Sequence, residues 1–490
     1  MRYLKIVLFF VSIINFSCVE NTSKKEKVQV EQKKPDFLFG VATSAYQVEG
    51  NYQKDGKGES KWDFLTNKVG VTEFVIGERQ TGNISANMYD RTQYLKDLRL
   101  LKELGANSYR FSLDWSRIIP DGTGTVNELA IAHYDQLIDD VKSFGLEPVV
   151  TLYHFDFPMA LVKMGGWDNP KMKNWFKNYA SIVFDKFGKK VNYFITFNEP
   201  YIEFLVFDYL SNTGQSKDSD AVRFSKGYKR CFSQILASAE VIKLYKEKGL
   251  KGNIGITLNL SPTIPLDSIN ELDVKASALQ DKLLNTFLLD PILKGVYPKQ
   301  VKDSLQKYLP EFNPTQDQLT ILNNNKPDFL GVNFYAPALT KYDASVPFST
   351  TWLGINTDEI KAHNGPVRPN ELYNLLIRLK TEYNNPVIMI TENGAGFEGE
   401  DEKEKSIVKD PLRADYIMRH VEATLKAKEA GANVIGYMAW SGWDNFEWVF
   451  GYTKHFGMIH VNFETQERIP KESYYKYKSV ISSNKGLKVN

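Results

Sequence analysis

Phe194-Ile195-Thr196-Phe197-Asn198-Glu199-Pro200 is a short apolar β-type run that stops on a carboxylate, and Ile388-Met389-Ile390-Thr391-Glu392-Asn393-Gly394 repeats the design later in the chain. Continuous apolar runs of this length, bounded by polar or turn residues, are read as strands buried on both faces, the kind found in parallel sheets. Further runs of the same type lie at Phe37–Ala45, Ala106–Ser112, Pro148–His154, Ile254–Leu258, Phe329–Tyr335 and Val434–Trp440; with Tyr193–Glu199 and Val387–Glu392 they make eight. Longer amphipathic stretches separate them: Tyr94–Leu104, Leu137–Phe144, Trp175–Phe187, Leu236–Tyr245, Leu372–Tyr383 and Tyr416–Glu429. In the first, Leu95, Leu98, Leu101 and Leu104 recur at helical steps and Gly105 ends the helix. Strands alternating with helices indicate βα units, and eight of them close a barrel. The fold class expected is therefore α/β, a (β/α)8 TIM barrel. With no Pro/Ser/Gly-rich linker after residue 35, residues 36–485 are read as one catalytic domain, although 490 residues could hold three average domains.

The composition is that of an ordinary soluble protein: 42% hydrophobic, 24% charged, formal charge +2. This balance argues against a nucleic-acid or polybasic membrane binder. Two cysteines, Cys18 and Cys231, cannot build a disulfide framework or a zinc cluster, and Cys231 reads as a buried, inert thiol. Residues 1–17 combine a basic start (Met1-Arg2-Tyr3-Leu4-Lys5), an apolar run from Ile6 to Ile14 and Asn15-Phe16-Ser17, which is a signal-peptide pattern too short to span a bilayer. Cys18 after Ser17 fits a bacterial lipoprotein cleavage site, with lipid on the new N-terminal Cys and Asn15 in place of the usual aliphatic residue; a conventional signal with an incidental Cys is the other reading. Residues 18–35 are rich in Lys, Glu, Gln, Asn and Ser, a polar tether. Export to the periplasm, or attachment to a membrane of the bacterial cell envelope through lipid on Cys18, is expected. The first 34 residues carry seven Lys/Arg against three Glu, so the remainder is slightly acidic.

In such barrels the chemistry sits at the C-terminal ends of the strands. Here those ends bring Tyr46-Gln47, Arg110, His154, Asn198-Glu199, Asn333 with Tyr335, Glu392-Asn393 and Trp440, so seven of the eight strands offer a polar or aromatic group to one rim. A carboxylate at the end of a buried strand is poorly solvated and needs a partner, a cation or a chemical task. The six His are scattered and no His-Glu-x-x-His occurs, so no metal site is read and no cofactor is expected. Paired carboxylates that flank a bond describe glycoside hydrolysis, one protonating the leaving oxygen and the other attacking the anomeric carbon or activating water. Strands four and seven are expected to face each other across the barrel. The 13% of aromatic residues also fits a sugar cleft; Trp62, Trp115, Trp167 and Trp175 are assigned to packing.

From about Asp36 to Val480 the chain resembles glycoside hydrolase family 1, the β-glucosidase family. The resemblance rests on Phe37-Leu38-Phe39-Gly40-Val41-Ala42-Thr43-Ser44-Ala45-Tyr46-Gln47-Val48-Glu49-Gly50, Tyr109-Arg110-Phe111-Ser112, Thr151-Leu152-Tyr153-His154, Thr196-Phe197-Asn198-Glu199-Pro200, Ile390-Thr391-Glu392-Asn393-Gly394 and Asp444-Asn445-Phe446-Glu447-Trp448, in that order. Asn-Glu-Pro alone is weak; the ordered set is specific. It implies a retaining β-glycosidase with Glu392 as nucleophile and Glu199 as acid/base, the carboxyls about 5 to 5.5 Å apart. Arg110 and the Tyr335 hydroxyl would favour ionised Glu392, whose charge would keep Glu199 protonated. Asn198 would hold the sugar 2-hydroxyl. Gln47, His154, Glu447 and Trp448 would bind the outer hydroxyls and Trp440 would face the pyranose, with Asn333 and Tyr335 counted among the substrate-binding residues.

Some positions depart from the family pattern. Phe155 stands where Trp usually follows the rim histidine, and Ser441-Gly442-Trp443 replaces Ser-Leu-Leu. Upstream of Leu372 the expected Gly-Trp pair, whose indole sandwiches the leaving group, is replaced by Asn364-Gly365-Pro366, leaving Trp352 as a substitute from elsewhere in the loop. Family members acting on 6-phosphoglycosides generally replace the Glu of Asn-Phe-Glu-Trp with a small residue and add a Lys for the phosphate; Glu447 stays, so a small-molecule, unphosphorylated β-glycoside is the expected partner. Family thioglucosidases lack the acid/base carboxylate, and its presence favours O-glycosides. β-Galactoside or β-fucoside cleavage, transglycosylation and a non-catalytic sugar-binding barrel are the alternatives; oligomeric state is left open.

Overall fold

The computed structural model describes residues 36–207, 217–351, 361–400, 402–404 and 407–489. The signal segment, the tether with Cys18, and Trp352 lie outside the described residues. Eight parallel strands close a barrel: β1 (Leu38–Ala42), β2 (Ser108–Ser112), β3 (Glu147–Tyr153), β4 (Tyr193–Asn198), β5 (Asn253–Asn259), β6 (Phe329–Asn333), β7 (Ile388–Asn393) and β8 (Val434–Ala439). Each pairs with its chain neighbours, and β1 closes on β8. The expected (β/α)8 barrel is thus present. β4 and β7 are three positions apart around it and not opposed as the sequence reading had them; β8 lies opposite β4.

The surrounding helices are α1 (Arg91–Leu104), α2 (Glu128–Ser143), α3 (Met172–Phe187), α4 (Asp220–Glu247), α5 (Gln316–Asn324), α6 (Pro369–Glu382), α7 (Pro411–Glu429) and α8 (Glu472–Ser483). Those with an expected range begin three or more residues before its first residue, several of them at a cap or a proline. Asp90 accepts from Gln93 N and Asn127 from Leu129 N, while Pro369 and Pro411 open α6 and α7. Gly105 ends α1 at φ 87°, the left-handed conformation expected of it. α5, absent from the sequence reading, is started by a reciprocal Thr315/Gln318 capping box.

Two packed regions fix the barrel. Leu38, Val149, Ile195, Phe329, Met389 and Met438 form an apolar cluster separate from the larger one, which includes Phe194, Phe197, Val332, Ile390 and the buried helix faces. Inward and outward residues alternate along a strand. That alternation breaks near the ends of the two strands that bear carboxylates: β4 shifts register against β5 between Ile195 and Asn198, and β7 against β6 between Ile390 and Glu392. Counted from Ile195, strict alternation would turn Phe197 inward and Asn198 outward. Instead Phe197 packs on Phe176 of α3 at 4.3 Å, and Asn198 meets Arg110 of β2. Counted from Met389, Glu392 would point outward; after the irregularity it also reaches Arg110. Bulges near a rim re-aim side chains in this way.

Candidate active site

Arg110, on β2 and fully buried, joins the two halves of the site. Its Nη1 donates to Glu392 Oε1 at 2.7 Å and to the Thr391 carbonyl at 3.0 Å, its Nη2 to Asn198 Oδ1 at 2.7 Å, and its Nε to Thr151 Oγ1 at 3.2 Å. The Tyr335 hydroxyl donates to the other oxygen of Glu392 at 2.5 Å. Each oxygen of Glu392 therefore accepts a hydrogen bond. Burial pushes the Glu392 carboxyl above its ordinary value, and Arg110 and Tyr335 act against that rise. The expectation that these partners favour the ionised form holds for their direction; desolvation remains the larger effect.

Glu199 follows β4 at φ 43°, with Pro200 opening the short helical turn after it. Its amide donates to the Thr257 carbonyl at 2.9 Å, which holds the residue in a conformation uncommon for anything but glycine. Its Oε1 accepts from Asn333 Nδ2 at 2.5 Å and from Asn259 Nδ2 at 3.4 Å. Burial first, and the neighbouring Glu392 charge second, push its pKa up to about 8; Asn333, Asn259 and Arg110 oppose the shift. The sequence reading attributes the raised Glu199 pKa to the Glu392 charge; burial is the larger cause.

Asn333, expected as a substrate contact, is fully buried behind the wall. Its Nδ2 serves Glu199 and Asn198, and its Oδ1 accepts from Thr391 Oγ1 at 2.7 Å. Gln47 likewise stands back: the strand ends at Ala42, and Gln47 lies in the short helix Ala45–Val48 that follows. Its Nε2 donates to Asn445 at 3.0 Å and Glu447 at 3.2 Å, and its Oε1 accepts from Ser44. Both residues orient groups that do reach the cavity.

That cavity, about 440 Å3, is lined by His154, Asn198, Glu199, Tyr335, Glu392, Trp440, Glu447 and Trp448 from the expected set. It suits a small ligand in size. Asn198 Oδ1 already accepts from Arg110 and Asn333, so its Nδ2 must donate to His154 Nε2 at 3.0 Å. His154 therefore carries its proton on Nδ1, which is buried and has no partner among the described residues. Burial and the Arg110 charge hold this imidazole well below its ordinary pKa, hence neutral. Its ring is nearly parallel to Trp440 (5.9 Å) and Trp448 (6.0 Å), and Tyr46 and Trp62 pack against Trp448 at 6.0 and 4.7 Å. Glu447 is pushed up to about 8 by burial and the Glu392 charge, with Gln47 opposing.

Asn259, at the end of β5, was missed by the sequence reading, which stopped that strand at Leu258. One more polar residue after the apolar run was the available signal, and it gives β5, the strand without a rim group in the sequence reading, a rim side chain. Phe155, at φ 66°, lines the cavity edge-on to Trp448 at 5.2 Å, and Asn364, Gly365 and Pro366 line it as well. Cys231 is fully buried, with Sγ 3.1 Å from the Pro200 carbonyl.

The chain is similar over most of its length, in sequence and in fold, to known proteins. Beta-glucosidase A of Enterobacter agglomerans is 38% identical over 458 residues, covering 91% of this chain and 94% of that protein. The 6-phospho-beta-glucosidase of Bacillus subtilis is 36% identical over 469 residues, covering 91% and 96%. The crystal structure of the GH1 beta-glucosidase from Exiguobacterium antarcticum B7 superposes with a TM-score of 0.84 at 34% identity, over 92% of this chain and 99% of that one. The profile of glycosyl hydrolase family 1 matches residues 30–486, from before β1 to beyond α8, and the chain belongs to that family.

Proposed function

We propose that this chain is a retaining β-glycosidase that hydrolyses terminal β-D-glucosyl residues by double displacement. The observation that carries the reading is the unequal treatment of two carboxyls in one cavity: Glu392 is held by Arg110 and Tyr335, while Glu199 is kept at about 8 by burial beside it. In the first step ionised Glu392 attacks the anomeric carbon as Glu199 gives its proton to the departing oxygen, leaving a glycosyl ester and a free aglycone. The ester has no charge, so the electrostatic cause of the raised Glu199 pKa is removed. Glu199, now a carboxylate, takes a proton from water, whose oxygen replaces Glu392 at the same carbon. His154, Glu447 and the face of Trp440 are proposed to hold the sugar. Release of nitrophenol from aryl β-glucosides by wild type, and its loss in Glu392→Gln, tests the assignment; an active Glu392→Gln enzyme discards it.

Unphosphorylated glycosides are the proposed substrates, since Glu447 occupies the cavity with Gln47 behind it. Export and lipid attachment at Cys18 are proposed on the N-terminal sequence alone. A labelled acyl chain that follows the wild type and leaves with Cys18→Ala would support the lipoprotein; label independent of Cys18 would reject it.

A further inference from the structure

Asn393, directly after Glu392, has a fully buried side chain held from three sides. Its Nδ2 donates to the Phe334 carbonyl at 2.6 Å and to the Tyr416 hydroxyl at 3.0 Å, and its Oδ1 accepts from the Tyr437 hydroxyl at 2.5 Å. The Tyr416 hydroxyl, on α7, also lies 2.6 Å from the backbone carbonyl of Tyr335. A carbonyl can only accept and a phenol has one proton, so Tyr416 donates to Tyr335 and accepts from Asn393. Burial holds the phenol protonated. The ring stacks on His420 at 3.8 Å, and His420 Nδ1 meets the Tyr416 carbonyl at 2.7 Å, which leaves the ring little freedom. One hydroxyl thus bridges the backbone of the residue that donates to Glu392 and the side chain of the residue following Glu392.

We propose that Tyr416 is a positioning residue for the nucleophile: its hydroxyl fixes the Tyr335 carbonyl and the Asn393 carboxamide, and so sets the Tyr335 hydroxyl against Glu392. The inference rests on the reading of Glu392 as nucleophile. Tyr416 lies on the buried face of α7, does not line the cavity and acts through its two partners. Removing only the hydroxyl keeps the ring packing and leaves two polar partners unsatisfied, which frees the Tyr335 loop to shift.

The test is a double-mutant cycle with Tyr416→Phe, Tyr335→Phe and the pair, read as kcat/KM on an aryl β-glucoside across pH. If Tyr416 works through the Tyr335 hydroxyl, its removal lowers kcat/KM by about tenfold in the wild type and by less than about twofold once Tyr335 is Phe. Its acid limb should also move to higher pH, as in Tyr335→Phe, because the donor to ionised Glu392 is loosened while Arg110, Glu199 and Glu447 stay in place. Equal losses in both backgrounds, or lower thermal stability with an unchanged profile, would overturn the inference. Should Tyr416→Phe fail to fold, Tyr437→Phe, which frees the Asn393 carboxamide, is read against Tyr335→Phe by the same criteria. An active Glu392→Gln enzyme would overturn the nucleophile itself, whatever the cycle gave.

Discussion

Asn333 donates to Glu199 Oε1 at 2.5 Å, and the weaker bond from Asn259 falls on the same oxygen. A protonated Glu199 must therefore carry its hydrogen on Oε2, the oxygen these two amides leave free. The same Asn333 accepts from Thr391, the neighbour of Glu392, so one buried amide ties the proposed acid to the strand of the proposed nucleophile. The arrangement keeps the proton-bearing oxygen available to a leaving group without spending it on the protein.

The pH dependence of kcat/KM should be bell-shaped. As the proposed acid, Glu199 acts in its protonated form, and its pKa of about 8 puts the alkaline limb near that value. Glu392 must be ionised, and its raised pKa places the acid limb above the ordinary carboxylate range. Both limbs belong to the coupled pair. In Glu392→Gln, residual activity aside, titration of Glu199 should shift downward as the neighbouring charge disappears; an unchanged value would show that burial alone raises it.

Glu199→Ala should lose about a hundred- to ten-thousand-fold in kcat/KM on glucosides with poor leaving groups, and far less on dinitrophenyl glucoside. A loss of the same size for every leaving group would remove Glu199 from the role of acid.

Glu199→Gln should be more stable than the wild type at neutral pH. The folded protein holds a proton to about pH 8 that the unfolded chain releases near the ordinary carboxyl value, so stability falls as pH rises between the two. The neutral amide is free of that penalty. The gain should be near zero below about pH 4.5, grow with pH, and reach at most about 3 kcal/mol at pH 7. Thermal unfolding of both proteins at pH 4.5 and 7 measures it, and a destabilised Gln variant at pH 7 would contradict the account.

Much of this was legible in the chain. Parallel strands buried on both faces are largely apolar, so all eight appeared as runs, and a polar or aromatic group at the ends of seven of them marked the rim. What the runs could not give was the break in alternation before Asn198 and Glu392, because a register shift depends on the neighbouring strand and leaves no local pattern. Asn333 illustrates the same limit. Its place at a strand end was readable, but not that its amide is wholly engaged by Glu199, Asn198 and Thr391. The start of α1 was hidden because its polar opening, Arg91-Thr92-Gln93, lacks apolar periodicity.

As an anion, Glu447 would repel the 6-phosphate of a phosphorylated glycoside. Glu447 is kept at about 8, so at neutral pH it is mostly an acid and not an anion. Its preference for glucosides over their 6-phosphates should therefore widen as pH rises through about 8. The ratio of the two kcat/KM values, in which the Glu199 limb is common, measures this; a ratio flat across that range would mean that shape alone excludes the phosphate.

The central claim, a covalent intermediate on Glu392, is tested most directly by trapping. Incubation with dinitrophenyl 2-deoxy-2-fluoro-β-glucoside should inactivate the enzyme with release of one dinitrophenolate, and peptide mass analysis should find one 2-deoxy-2-fluoroglucosyl group on Glu392. Label on another residue, or turnover of the parent glucoside with inverted configuration and no labelled peptide, would contradict it.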